Sequence, residues 1–206
     1  MRPIDPWRTG VLVGTLLFAA CAASGVTVDD LQGQVLVTPQ TKVDFVLTDT
    51  AGLPFSFADR TEGNVTLLYF GYTECPDICP LHLAQIARAL EREPPELVEN
   101  IRVVFVSVDP DRDSLEDIRA YLDHFDTSFI GVTGTDQELR AAQELVGVPP
   151  AEYSGDGPDY SVDHAAWVIA YAPNGTSYTI YPVGTGVDTW VNDLGVLAQL
   201  TNEGDA

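Results

Sequence analysis

The sequence predicts an α/β domain: a mixed central sheet flanked by helices, with an N-terminal β-hairpin. Three observations carry that prediction. Near-continuous apolar runs at Val65–Phe70 and Arg102–Val108 have the composition of strands covered on both faces. Each is followed by a stretch with helical character, Leu81–Leu90 after the first and Ser114–Phe125 after the second. Two strand-like runs, Ala166–Tyr171 and Thr176–Tyr181, flank Pro173-Asn174-Gly175, a hairpin signal that adds antiparallel strands to a parallel set.

Taken in order, residues 1–21 read as a signal peptide of lipoprotein type. Arg2 and Arg8 precede the apolar run Val11–Ala20, and small residues lead to Cys21, whose thiol would carry the lipid. That run is shorter than the roughly 20 residues a membrane span requires. Residues 22–40 are small, polar and unpatterned, and read as a flexible tether to a domain at 41–206. Val43–Leu47 alternates like a strand, Asp49–Gly52 is a turn, and Pro54–Phe57 returns as the hairpin. The strand at 65–70 leads to a helix over about 80–93, stopped by Pro94-Pro95. After the strand at 102–108, Asp109–Asp113 is a loop, and Ser114 with Asp117 offers a capping box to the next helix. Ser128–Val132 is a short strand, and Thr135 with Glu138 caps a helix ending near Gly147. Residues 148–163, rich in proline and glycine, read as a loop. The hairpin at 166–181 and a helix from Val187 to about Leu200 complete the chain. This order matches a thioredoxin-like fold with an N-terminal hairpin and an inserted strand–helix, in which the first strand-to-helix turn is the active turn.

The chain of 206 residues carries a formal net charge of -21, with Lys42 as its sole lysine. Such a surface repels nucleic acid and anionic lipid, so membrane contact is expected only through the N-terminal anchor. An exported chain of this kind works at the outer face of the cytoplasmic membrane, periplasmic or extracellular, where thiols oxidise readily. Of three cysteines, Cys21 lies in the leader, leaving Cys75 and Cys79 as one close pair, a redox or metal motif rather than a disulfide framework. Met1 is the sole methionine, which excludes a thioether cluster.

That pair occupies the predicted active turn, in Tyr69-Phe70-Gly71-Tyr72-Thr73-Glu74-Cys75-Pro76-Asp77-Ile78-Cys79-Pro80. Each cysteine precedes a proline, which disfavours the α conformation, so Pro80 is expected to open the helix with Cys79 at its N-terminus. The free N–H groups and dipole there favour thiolate. Three uses stay open: a soft-metal site, a redox pair that closes as a Cys75–Cys79 disulfide when oxidised and metal-free, or an inert bridge. Two thiolates suit Cu(I), and an added imidazole suits Cu(II) or zinc. Of three histidines, His82 lies one turn beyond Cys79, close enough to be a lesser candidate ligand and otherwise a surface helix residue, and His124 fits a helix exterior. His164, just before the strand at 166–171, would face the active turn where thioredoxins carry a cis-proline, and is the expected third ligand. A peroxiredoxin is excluded, because Leu68 and Tyr72 stand where its motif requires proline and threonine or serine.

With Val106–Asp113, Gly131-Val132-Thr133-Gly134, Asp159–His164 and Ala172–Gly175 in the same order, the sequence resembles the Sco (SenC/PrrC) family over roughly residues 40–200. The resemblance implies a thioredoxin-like fold and copper, Cu(I) or Cu(II), held by Cys75, Cys79 and His164, with Asp109 near the site. It also implies a metallochaperone that assists assembly of the CuA centre of cytochrome c oxidase subunit II, together with other copper chaperones or a thiol reductant. A thiol–disulfide oxidoreductase using Cys75 and Cys79 on exported proteins is the alternative; the residues leave enzymatic activity open.

Overall fold

A computed structural model describes residues 25–155, 157 and 160–201. The expected leader, with the Cys21 expected to carry lipid, lies outside the described residues. Ten strands and six helices follow one another: β1 Gln34–Thr41, β2 Val46–Asp49, β3 Pro54–Ser56, α1 Phe57–Arg60, β4 Val65–Gly71, α2 Ile78–Leu90, α3 Pro95–Val98, β5 Ile101–Ser107, α4 Leu115–Asp123, β6 Ile130–Thr133, α5 Asp136–Leu145, β7 Glu152–Ser154, β8 Ser161–Asp163, β9 Trp167–Tyr171, β10 Thr176–Pro182 and α6 Val187–Leu197.

The main sheet has the order β1-β10-β9-β4-β5-β6-β2-β3. Strands β4, β5 and β6 are parallel, and β9, β10, β1 and β2 join antiparallel. This is the mixed, thioredoxin-like sheet that the order of elements predicts. Every residue of β4 is buried, as its unbroken apolar run requires for the middle of a sheet covered on both faces. Helices α2 and α6 pack together, and α4 packs on β6. Both predicted capping boxes form, at Ser114 with Asp117 and at Thr135 with Glu138.

Three expectations are corrected. The tether predicted for residues 22–40 ends early, because β1 runs from Gln34 along the sheet edge and pairs with β10. Its side chains are almost all exposed, so it lacks the alternation that marks a half-buried strand, and an edge position tolerates Pro39. The segment before it is anchored by the buried Asp193 of α6, which accepts hydrogen bonds from the Gln32 and Gly33 amides at 2.9 and 2.8 Å. Residues 148–163 are not an open loop: β7 and β8 pair Glu152 with Asp163 and Ser154 with Ser161. The N-terminal hairpin forms as β2–β3, three residues later than the alternation at Val43–Leu47 suggests, and lies on the opposite edge from β1.

Candidate metal centre

Strand β4 ends at Gly71, and the chain turns through Tyr72–Asp77 into α2. The helix begins at Ile78, with Asp77 as its N-cap, two residues before the proline expected to open it. Amides of a helix's first turn have no intrahelical partner, so Pro80 forfeits nothing at the third position and Cys79 becomes helical. The Cys79 amide donates instead to the Cys75 sulfur at 3.4 Å. Both cysteines are buried free thiols, Cys79 completely so.

The expected assignment of charge is reversed. A hydrogen bond from the Cys79 thiol, aided by contacts with His164 and the Cys79 and Asp77 backbone, holds the Cys75 thiol well below the usual range despite burial. Burial, and then the neighbouring Cys75 sulfur, push the Cys79 thiol well above it. The Cys79 thiol, more than the helix N-terminus, therefore favours thiolate on the cysteine before the helix, and burial favours the protonated form of the sulfur within it.

His164 follows β8 directly, and its Nε2 lies 3.6 Å from the Cys79 sulfur, across 85 residues of sequence. Its Nδ1 lies 3.1 Å from the Ala165 carbonyl oxygen, a contact that leaves Nε2 turned toward the thiols. The ligand atoms of Cys75, Cys79 and His164 all lie within 4.8 Å of one another. Two sulfurs and one imidazole nitrogen, with the thiol mouth lined by Tyr72, Pro76, Ile78 and Val162, form a donor set suited to a soft or borderline metal ion.

The other two histidines stand apart from this group. His124 is exposed, its Nδ1 2.6 Å from the Ala120 carbonyl oxygen on its own helix. His82 is not a surface helix residue: it is fully buried, its ring 5.1 Å from that of Tyr69 on β4. Its Nε2 lies 3.4 Å from the Ala166 carbonyl oxygen, and burial lowers its pKa. Asp109 is buried and accepts from Arg112 Nε at 2.6 Å and from the Tyr160 hydroxyl. It reaches the site through Arg112, whose guanidinium lies 3.9 Å from the Tyr160 ring centroid and 5.6 Å from that of Tyr72. The Tyr72 ring in turn stands edge-on to His164 at 5.6 Å.

Sequence reasoning missed Tyr69, Tyr72 and Arg112 as neighbours of the thiols, and Asp113 as the anchor of the turn. Tyr69 and Tyr72 stand within the dithiol stretch itself, so their proximity in sequence was the available signal. Arg112 and Asp113 stand in an acidic loop that carries no metal-ligand spacing.

The SCO1/SenC family matches residues 34–199 of this chain. This chain belongs to the SCO1/SenC family. A Stutzerimonas stutzeri protein whose name proposes copper binding is 30% identical over 182 residues, 85% of this chain and 87% of that protein. Among solved structures, apo Sco1 of Thermus thermophilus is 36% identical, with a TM-score of 0.73 over 81% of this chain and 96% of that one. Copper-bound ScoI of Arabidopsis thaliana is 28% identical, with a TM-score of 0.67 over 78% of this chain and 98% of that one. The SCO1/SenC match begins at the first residue of β1, so the strand that the sequence reading left in the tether lies within the family's domain.

Proposed function

We propose that this SCO1/SenC protein is a copper metallochaperone. It binds one Cu(I) or Cu(II) ion, its cargo, through Cys75, Cys79 and His164, and assists assembly of the CuA centre of cytochrome c oxidase subunit II. Residues 1–21 direct export, and lipid on Cys21 holds the domain at the outer face of the cytoplasmic membrane. The observation that carries the reading is the convergence of two sulfurs and one imidazole within 4.8 Å. The copper-bound relative supports the choice of metal.

The residues divide the work. Cys75 offers a thiolate without prior deprotonation, and capture of the ion by Cys79 releases a proton, which makes loading pH-dependent. His164 presents Nε2 toward the two sulfurs, with Nδ1 held against the Ala165 carbonyl. Transfer proceeds by exchange of thiolate ligands between donor and acceptor. Anaerobic copper titration tests this: the reduced protein takes up one equivalent, and Cys75→Ser, Cys79→Ser and His164→Ala each lose stable Cu(II) binding. Transfer to the apo acceptor domain follows for the wild type alone. Failure of the fully reduced protein to bind copper would overturn the proposal.

A second reading, thiol–disulfide exchange, is favoured by the asymmetry of the pair, one thiolate beside one protonated thiol. Cys75 would attack a partner disulfide and expel one partner thiolate. Cys79 would then close the Cys75–Cys79 disulfide and release the second. His164→Ala separates the readings, since it removes Cu(II) binding and leaves this exchange intact.

A further inference from the structure

Three features surround the Cys79 sulfur, two of them on strand β4 and the third just after β8. Residues 69 and 71 share one face of the strand, because side chains alternate with period two. From position 69 the phenol reaches across, and its hydroxyl donates to Cys79 Sγ at 3.3 Å. From position 71 the missing side chain makes room: a Cβ there would stand 2.8 Å from the same sulfur. His164 Nε2 closes the far side at 3.6 Å. The phenol is 1% exposed and is held by rings around it: His82 at 5.1 Å, Phe105 at 6.0 Å and His164 at 6.1 Å between centroids. Nothing in the transfer or exchange chemistry described above uses it.

We propose that Tyr69 is a positioning residue of the thiol pair: its hydroxyl bond to the Cys79 sulfur favours the reduced pair, and thereby sets the balance between dithiol and disulfide. The physical reason is the difference in acceptor strength. A thiol or thiolate sulfur accepts a hydrogen bond, and a thiolate most strongly. A disulfide sulfur carries less charge and accepts weakly, so the phenol stabilises the reduced pair. For the metal-loaded site the proposal rests on the copper reading: the same bond withdraws charge from a metal-bound sulfur and favours the lower oxidation state.

The test uses Tyr69→Phe, which keeps the ring and removes only the hydroxyl, with Tyr121→Phe as the control. The Tyr121 hydroxyl is also buried but has no hydrogen-bond partner among the described residues. In the metal-free arm each protein is equilibrated with glutathione. Oxidised glutathione takes two electrons from the Cys75 thiolate and the Cys79 thiol, with one proton from Cys79 and one from water, giving one protein disulfide and two reduced glutathiones. Tyr69→Phe should shift this equilibrium about tenfold toward the protein disulfide, a midpoint lower by ~30 mV, and Tyr121→Phe should leave it in place. In the copper arm, Tyr69→Phe should move the sulfur-to-Cu(II) charge-transfer band to lower energy. An equilibrium within about twofold of wild type, or an equal shift in Tyr121→Phe, overturns the proposal. An unmoved band overturns it for the loaded state. If no variant binds copper, the metallochaperone reading fails while the glutathione arm still decides the role of Tyr69.

Discussion

At Gly71 the absent side chain is a requirement of the thiol pair. A methyl group there would stand 2.8 Å from both the Cys79 sulfur and Cε2 of the buried Phe105 ring. Neither can retreat: the sulfur belongs to the first turn of α2, and the ring is packed in the core. Gly71→Ala should therefore cost about 1–3 kcal/mol in urea unfolding and displace the sulfur, weakening Cu(II) binding at least tenfold. Wild-type affinity in the variant would refute the crowding argument. Lys42 is a second case in which one side chain decides a measurable property. Its Nζ donates to the Thr61 carbonyl and to the Thr61 and Thr66 hydroxyls at 3.1, 2.9 and 3.0 Å, with aromatic faces of Phe57 and Tyr171 beside it. Burial lowers its pKa from 10.5 to about 8. Between those values the unfolded chain holds a proton that the native protein has released, so this group makes stability rise with pH across that window. Compared with Lys42→Met, the wild type should gain stability over the same interval, read from urea midpoints at successive pH values. Parallel pH profiles would show that Lys42 keeps its ordinary pKa.

At the scale of elements, the site depends on how two connections are tied to the sheet. The turn after β4 hangs on Asp113, which is buried and accepts from the Thr73 amide at 2.9 Å, the Thr73 hydroxyl at 2.6 Å and the Ser107 hydroxyl at 2.5 Å. One carboxylate thus joins the dithiol turn to the end of β5. Asp113→Ala strands three donors and should cost about 3 kcal/mol, with faster hydrogen exchange at the Thr73 amide. Unchanged exchange there would place the anchor elsewhere. The β7–β8 hairpin that delivers His164 is tied down through Arg112 Nη1 to the Tyr160 carbonyl at 3.0 Å and through the Tyr153 hydroxyl to the Val108 carbonyl at 2.5 Å. Helices α4 and α5 were legible because each carries a local signal, the caps at Ser114 and Thr135, whereas the four-residue α1 and α3 were not. This hairpin was not legible: its strands are three residues each and mostly exposed, so no periodicity marks them.

For the whole molecule, the dominant electrostatic fact is a net charge of -21. Among the described residues the ion pairs are Arg92–Asp188, Arg112 with Glu74 and Asp109, and Arg119–Asp123, so most carboxylates have no cationic neighbour to offset them. Self-repulsion should then oppose the compact state and be relieved by screening. Raising NaCl from about 0.02 to about 0.5 M should increase the Tm by several degrees at neutral pH; a Tm that falls would mean that the few ion pairs outweigh the repulsion. The sheet resists this repulsion through its middle, where β4 and β5 are buried along nearly their whole length.

By itself, the sequence determined what is local or strongly periodic. Apolar runs specified β4 and β5, caps specified α4 and α5, the turn at residues 173–175 specified β9–β10, and one close cysteine pair marked the chemistry. Tertiary structure alone decided what depends on contacts between distant segments. It placed Gln34–Thr41 on the sheet edge, because such a strand is held by backbone bonds to β10 and leaves no side-chain pattern. It buried His82 beside Tyr69 of β4, because a helix face is inside or outside only by virtue of what packs on it. It put the thiolate on Cys75 rather than Cys79, because the charge follows one amide, one neighbouring thiol and the exclusion of water, and no spacing of residues records those.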